Sequence, residues 1–187
     1  MTMRTHAFVG LFAAVLLGGV GAAQAFDVTS QTFKNKGTLV DAQVFNGFGC
    51  KGQNISPQLS WTKPPKGTKS FVVTAYDPDA PTGSGWWHWL VWNIPATATA
   101  LPAGAGDAKG EGLPAGAVQG KTDFGAPGYG GPCPPPGKPH HYIFTVTALK
   151  VDKLDVGADA TAALVGFMTN ANALSKATIT GTYGRSK

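Results

Sequence analysis

Two carboxylates, three imidazoles and a phenol are the side chains with which this sequence could do polar chemistry. Asp77 and Asp79 lie in Tyr76-Asp77-Pro78-Asp79-Ala80-Pro81, at the end of an apolar run. The prolines fix the backbone and remove donors, so the loop is stiff. His88 follows two tryptophans, and His140, His141 and Tyr142 stand together at the start of another apolar run. A carboxylate at the end of a strand can accept a hydrogen bond from an imidazole and hold its orientation and protonation. Period-two geometry puts His140 on the apolar face of Tyr142, Phe144 and Val146 and turns His141 outward. The same rule gives His88 the face of Leu90 and Trp92. The plainer readings are a rigid corner with Asp79 solvated, a core Tyr142 with a satisfied hydroxyl, and packing roles for Trp86, Trp87, Trp89 and Trp92.

Nucleophiles are scarce around this set. Ser84 lies in a Gly-flanked loop, and the only thiols are Cys50 and Cys133, 83 positions apart in Gly-rich segments. How the cysteines are read depends on compartment. Arg4 precedes an uncharged apolar run from Ala7 to Ala23, and Ala23-Gln24-Ala25 has the small residues of a cleavage site. This predicts a signal peptide over residues 1–25 and one mature domain over 26–187, periplasmic or secreted, although the run also approaches the lower length limit for a membrane anchor. An oxidising compartment favours a Cys50–Cys133 disulfide; the competing reading makes Cys133 a metal ligand with nearby histidines.

The elements that must position these side chains are mainly strands. Gly 26 and Pro 14 in 187 residues argue against long helical bundles, and 43% hydrophobic residues suffice for a core. A formal charge of +5 with 13% charged residues excludes a polyanion-binding tail, so no nucleic-acid partner is expected. Phe71–Tyr76, Trp87–Ile94 and Tyr142–Leu149 are rich in β-branched and aromatic residues and read as central strands, with weaker candidates at Leu39–Phe45, Pro57–Trp61 and Ala177–Tyr183. One helix is predicted over Asp159–Leu174, capped by Asp159 or Thr161. Twenty of the forty-five residues from Pro95 to Pro139 are Gly or Pro, which predicts a long loop that its prolines and aromatics keep ordered. The fold class is therefore all-β dominated, with one short helix and long Gly/Pro-rich loops.

Two motif matches fail on context. Ala115–Thr122 imitates a phosphate-binding loop, and Gly110–Ala115 a dinucleotide fingerprint, but neither lies between a strand and a helix. Asn54-Ile55-Ser56 fits a glycosylation sequon, yet Pro57 behind it favours a plain turn.

Asp77-Pro78-Asp79-Ala80-Pro81, Trp86-Trp87-His88-Trp89 and Gly130-Gly131-Pro132-Cys133-Pro134-Pro135-Pro136-Gly137-Lys138-Pro139-His140-His141-Tyr142 together resemble the phosphatidylethanolamine-binding protein family. The nearer likeness is to its bacterial Raf-kinase-inhibitor-like branch, the YbhB/YbcL type, supported by Cys50–Trp61 and Ile179–Tyr183. The resemblance implies an antiparallel β-sandwich with a small anion-binding cavity. Its ligand-binding residues here would be Asp77, Asp79, Pro81, Trp86, His88, Pro134, Pro135, His140 and Tyr142, with Asp79 and Trp86 near the mouth, Pro134-Pro135 on the rim and a cis Ala80–Pro81 bond. Two departures from eukaryotic members are a shorter gap between Gly137 and His140 and no counterpart of their carboxy-terminal helix after Tyr183.

The leading expectation is a non-enzymatic exported protein that binds a small phosphorylated or carboxylated anion, with no cofactor and no metal. The second is an inhibitor or interaction module presenting Pro132–Pro139 to a protein partner; a homodimer is compatible with the branch. The third is a metal-dependent hydrolase using Asp77, His88, His140 and a free Cys133.

Overall fold

Alternation along three strands sets the layers of the molecule. In the computed structural model, which describes Met1 and residues 25–186, the order is β1 (Asp27–Thr29), β2 (Asn46–Gly47), β3 (Cys50–Lys51), β4 (Leu59–Thr62), β5 (Ser70–Asp77), β6 (Trp86–Pro95), β7 (Ala100–Leu101), β8 (Val118–Gln119), β9 (His140–Leu149), α1 (Ala162–Asn172) and β10 (Ala173–Tyr183). The expected signal peptide lies outside the described residues, apart from Met1 and Ala25.

A five-stranded antiparallel sheet, ordered β10-β9-β5-β6-β8, faces a three-stranded sheet ordered β1-β4-β7. Phe71, Val73, Ala75, Trp89, Val91, Phe144 and Val146 line the inner face of the large sheet and pack with Val28, Leu59, Trp61 and Leu101. Its outer face buries Val72, Leu90, Trp92 and Leu149 with Leu154 and with Val165 of α1. Each such side chain, removed from water, stabilises the fold by roughly 1.5–3 kcal/mol. Both faces of β5 and β6 are thus covered over much of their length, which is why they read as nearly continuous apolar runs, while β9 alternates over its first half and is buried on both faces only from Val146 on. The antiparallel sandwich with one helix agrees with the sequence.

Thr161 caps α1, its Oγ1 accepting from the Leu164 N–H at 3.2 Å. The helix is shorter than Asp159–Leu174 because Ala173 is already extended and pairs with Leu149. Leu39–Phe45 is not a strand. Its backbone closes turns, Gln43 N–H to Val40 O at 2.8 Å and Val44 N–H to Asp41 O at 3.2 Å, and Leu39 and Val44 are buried from there. The apolar residues in that segment signalled burial without signalling a ladder.

Between Pro95 and Pro139 only the two-residue strands β7 and β8 form, and the rest is held by specific bonds. Asp107 Oδ1 accepts from the N–H groups of Lys109 and Gly110, the Gly130 N–H donates to His88 O at 2.9 Å, and the Phe45 N–H donates to Pro132 O at 3.0 Å. Gly131 passes so close to the backbone of Gln43 and Phe45 that a Cβ would collide with it.

Candidate functional site

The carboxylate of Asp77 closes β5 on the inner face and is 3% exposed. Its Oδ1 accepts from the Asp79 N–H at 2.8 Å and its Oδ2 from His140 Nδ1 at 2.8 Å. A carboxylate only accepts in this geometry, so the proton of His140 is assigned to Nδ1 and Nε2 is left for a ligand. One position outward the pattern repeats: Asp79 Oδ2 accepts from both the N–H and Nδ1 of His141, at 2.8 and 2.7 Å. The His141 hydrogen bond holds the Asp79 carboxyl below the usual carboxylate range. Inward His140 and outward His141 follow the period-two expectation.

His88 does not. Strict alternation gives it the face of Leu90 and Trp92, yet it stands with Asp77, His140 and Tyr142. The ladder explains the difference: Ala75 pairs with Trp89 but Tyr76 pairs with Trp87, so His88 is an extra residue in β6. Such a β-bulge turns a side chain to the other face and is frequent beside functional sites. The ring is 4% exposed and its Nδ1 lies 2.5 Å from Gly130 O, a group that only accepts. Burial lowers the His88 pKa from its ordinary value, and the Gly130 carbonyl and the charges of Asp77 and Asp123 offset that only in part. The resting ring is neutral, with the Nδ1 proton engaged and Nε2 unprotonated.

These groups form the floor of a cavity of about 180 Å³. His88 and Tyr142 meet edge-on, with ring centroids 5.1 Å apart. The Tyr142 hydroxyl and the Trp86 indole Nε1 are both buried and have no hydrogen-bond partner among the described residues. Burial, and then the charge of Asp77, drive the Tyr142 pKa up, so the hydroxyl keeps its proton. Unpaired buried donors are costly; Trp61, Trp92 and Thr169 carry others away from this cavity, whereas Tyr142 and Trp86 belong to the wall of a cavity that an acceptor can enter.

Of the residues expected at the site, Asp77, Pro81, Trp86, His88, Pro134, Pro135, His140 and Tyr142 share this cavity. Asp79 is not in its wall, because its carboxylate is occupied by His141. Among the described residues no peptide bond is cis, so Ala80–Pro81 is trans, and the loop closes instead with the Thr82 N–H on Ala80 O at 2.8 Å.

The sequence reading missed Phe48, Ala80, Thr82 and Phe124 as wall residues, and Cys133 joins the wall through a disulfide to Cys50. That bond removes the thiolate that the metal reading required. Asn54 was passed over as a turn residue. It takes a positive φ of 55°, donates from Nδ2 to Tyr129 O at 2.9 Å and accepts the Gly131 N–H on Oδ1 at 2.7 Å, fixing the segment against which His88 rests. Only the glycines around it and the long-range pairing they permit could have flagged it.

The architecture is an open antiparallel sandwich with a small cavity at the strand ends of its large sheet, neither a closed barrel nor a doubly wound fold. The sequence profile of the phosphatidylethanolamine-binding proteins matches residues 29–184, and the chain belongs to that family. It is 59% identical to the UPF0098 protein YbcL of Escherichia coli (strain K12) over 162 residues, 86% of this chain and 88% of that one. It is 50% identical to the UPF0098 protein YbhB of the same organism over 154 residues, 82% of this chain and 97% of that one. The crystal structure of E. coli YbcL superposes with a TM-score of 0.84 at 58% identity, covering 85% of this chain and 98% of that chain. A Chlamydia trachomatis homologue, CT736, gives 0.72 at 30% identity, covering 87% and 99%.

Proposed function

We propose that the protein is a non-enzymatic binding protein whose cavity takes the phosphate or carboxylate group of a small anion. The observation that carries this reading is the pair of buried, unpartnered donors, Tyr142 Oη and Trp86 Nε1, in the cavity wall. An indole N–H can only donate, so the ligand must present an acceptor. Phosphate suits the remaining atoms: one oxygen accepts from Tyr142, and a protonated oxygen donates to the neutral His88 Nε2 or passes it the proton. A proton passed to His88 makes that ring an imidazolium, whose charge offsets the repulsion of the anion by Asp77.

Binding rather than turnover is favoured by what the wall lacks. Cys133 is held in the disulfide and the Thr82 hydroxyl donates to Gly85 O, so neither is poised as a nucleophile. The apolar run from Ala7 to Ala23 and the cleavage-like Ala23-Gln24-Ala25 support export, and an oxidising compartment fits the disulfide.

Isothermal calorimetry with inorganic phosphate, phosphoethanolamine and acetate tests the proposal. Saturable binding of at least one, lost in His88→Gln, is the expected result; absence of binding by all three in folded protein would remove it. A protein-interaction role retains one observation in its favour, the exposed run from Pro135 to Pro139. Substitution of Lys138 and Pro139 that abolishes partner capture while anion binding persists would favour that second reading.

A further inference from the structure

The mouth of the cavity holds a residue that folding does not ask for. β2 and β3 form a hairpin turned by Phe48 and Gly49, whose φ angles of 51° and 83° are both positive, as a two-residue type I′ turn requires. Glycine and asparagine suit both central positions; a bulky aromatic at the first is a backbone outlier. Burial does not compensate, because Phe48 is 70% exposed. Outliers of this kind persist where the surrounding structure uses them.

The ring of Phe48 has a place in the cavity. It stacks on Phe124 with centroids 5.8 Å apart and planes at 19°, and Phe124 stands edge-on to Trp86 at 5.4 Å and to His88 at 5.3 Å. An aromatic strip therefore runs from solvent at Phe48 to the polar floor at His88, in a cavity also lined by Pro81, Pro134 and Pro135. The Cys50–Cys133 disulfide ties the hairpin to the residue preceding Pro134, so both sides of the mouth are fixed to each other. Donors lie at the bottom and flat apolar surfaces at the top.

We propose that the cavity selects an anion bearing a flat aromatic substituent, an aryl phosphate or aryl carboxylate, whose ring lies against Phe48 and Phe124 while its charged group occupies the floor. This rests on the anion-binding reading above and adds the substrate class. A bare anion leaves the mouth empty; an aryl group covers exposed aromatic surface in stacked or edge-on geometry.

The test is calorimetry with inorganic phosphate, phenyl phosphate and n-hexyl phosphate on wild type, Phe48→Asn and Phe48→Tyr. Phenyl phosphate is expected to bind wild type about tenfold more tightly than inorganic phosphate, in line with an aromatic contact plus apolar burial. In Phe48→Asn the ratio of phenyl phosphate to inorganic phosphate affinity falls to about threefold or less, and Phe48→Tyr keeps it. The melting temperature of Phe48→Asn should equal or exceed that of wild type, since asparagine suits the turn. Equal binding of inorganic and phenyl phosphate to wild type overturns the inference while leaving the anion site standing. Hexyl phosphate binding as tightly as phenyl phosphate overturns the aromatic preference. Failure of all three to bind overturns the anion reading and this inference together.

Discussion

Tyr142→Phe separates a binding hydroxyl from a structural one. The Tyr142 side chain is 2% exposed and its hydroxyl has no partner among the described residues, so the unliganded fold carries the desolvation of an unsatisfied group. Leaving such a group unmade costs about 1–3 kcal/mol, and its deletion preserves the ring that packs with His88. The variant is therefore expected to be more stable than wild type by about 1 kcal/mol, a rise in Tm of about 2–4 °C for a domain of this size. Phosphate binding moves the other way. A hydrogen bond to a charged acceptor is worth about 1.5–3 kcal/mol, so affinity should drop by roughly 10- to 150-fold. Differential scanning calorimetry without ligand and titration calorimetry with phosphate read the two effects on one preparation. A variant less stable by 1 kcal/mol or more that binds phosphate as wild type does would refute the reasoning, because the hydroxyl would then serve the fold.

His88 predicts a pH dependence. Its folded pKa is lowered by burial, so the unfolded chain binds more protons as pH falls through the ordinary value of 6.5. Stability is full above about pH 7 and declines as pH falls through 6.5. The urea midpoint should drop across that window in wild type, and His88→Gln should lose that component. Reduction of the Cys50–Cys133 bond, whose ends are 83 positions apart, removes up to about 4.5 kcal/mol in the chain-entropy account. Urea unfolding with and without dithiothreitol measures the loss, and an unchanged midpoint would contradict it. In Gly131→Ala the new methyl meets the backbone of Gln43 and Phe45, which cannot rotate away, so a destabilisation of about 2–3 kcal/mol is expected in thermal unfolding. A variant that melts with wild type would show that the loop can withdraw.

The strands β5, β6 and β9 were legible because they are rich in β-branched and aromatic residues, β5 and β6 being buried on both faces over much of their length and β9 alternating over its first half. The inward turn of His140 and the outward turn of His141 followed from pleat alone. His88 shows the limit of that rule. A bulge is a property of two strands paired together, and nothing in Trp86-Trp87-His88-Trp89 announces the extra residue. Phe48 and Phe124 were missed for a related reason. They are 76 positions apart in Gly-rich segments without periodicity, and they meet through long-range contacts, both rings packing with Phe45 beside the disulfide. Leu39–Phe45 failed in the opposite direction, since its apolar residues bury from turns, with the Gln43 and Val44 N–H groups bonded locally and those of Leu39 and Phe45 bonded to Thr182 O and Pro132 O, outside any strand ladder.

The proposed anion site is built from His88, His140 and Tyr142 in the cavity wall. An NMR titration of the histidine ring signals of oxidised protein with inorganic phosphate tests it most directly. His88 and His140 should shift saturably at a common affinity while His141, held by Asp79 outside the cavity wall, stays in place. Movement of all three rings in proportion to ionic strength, or of none, would contradict the claim.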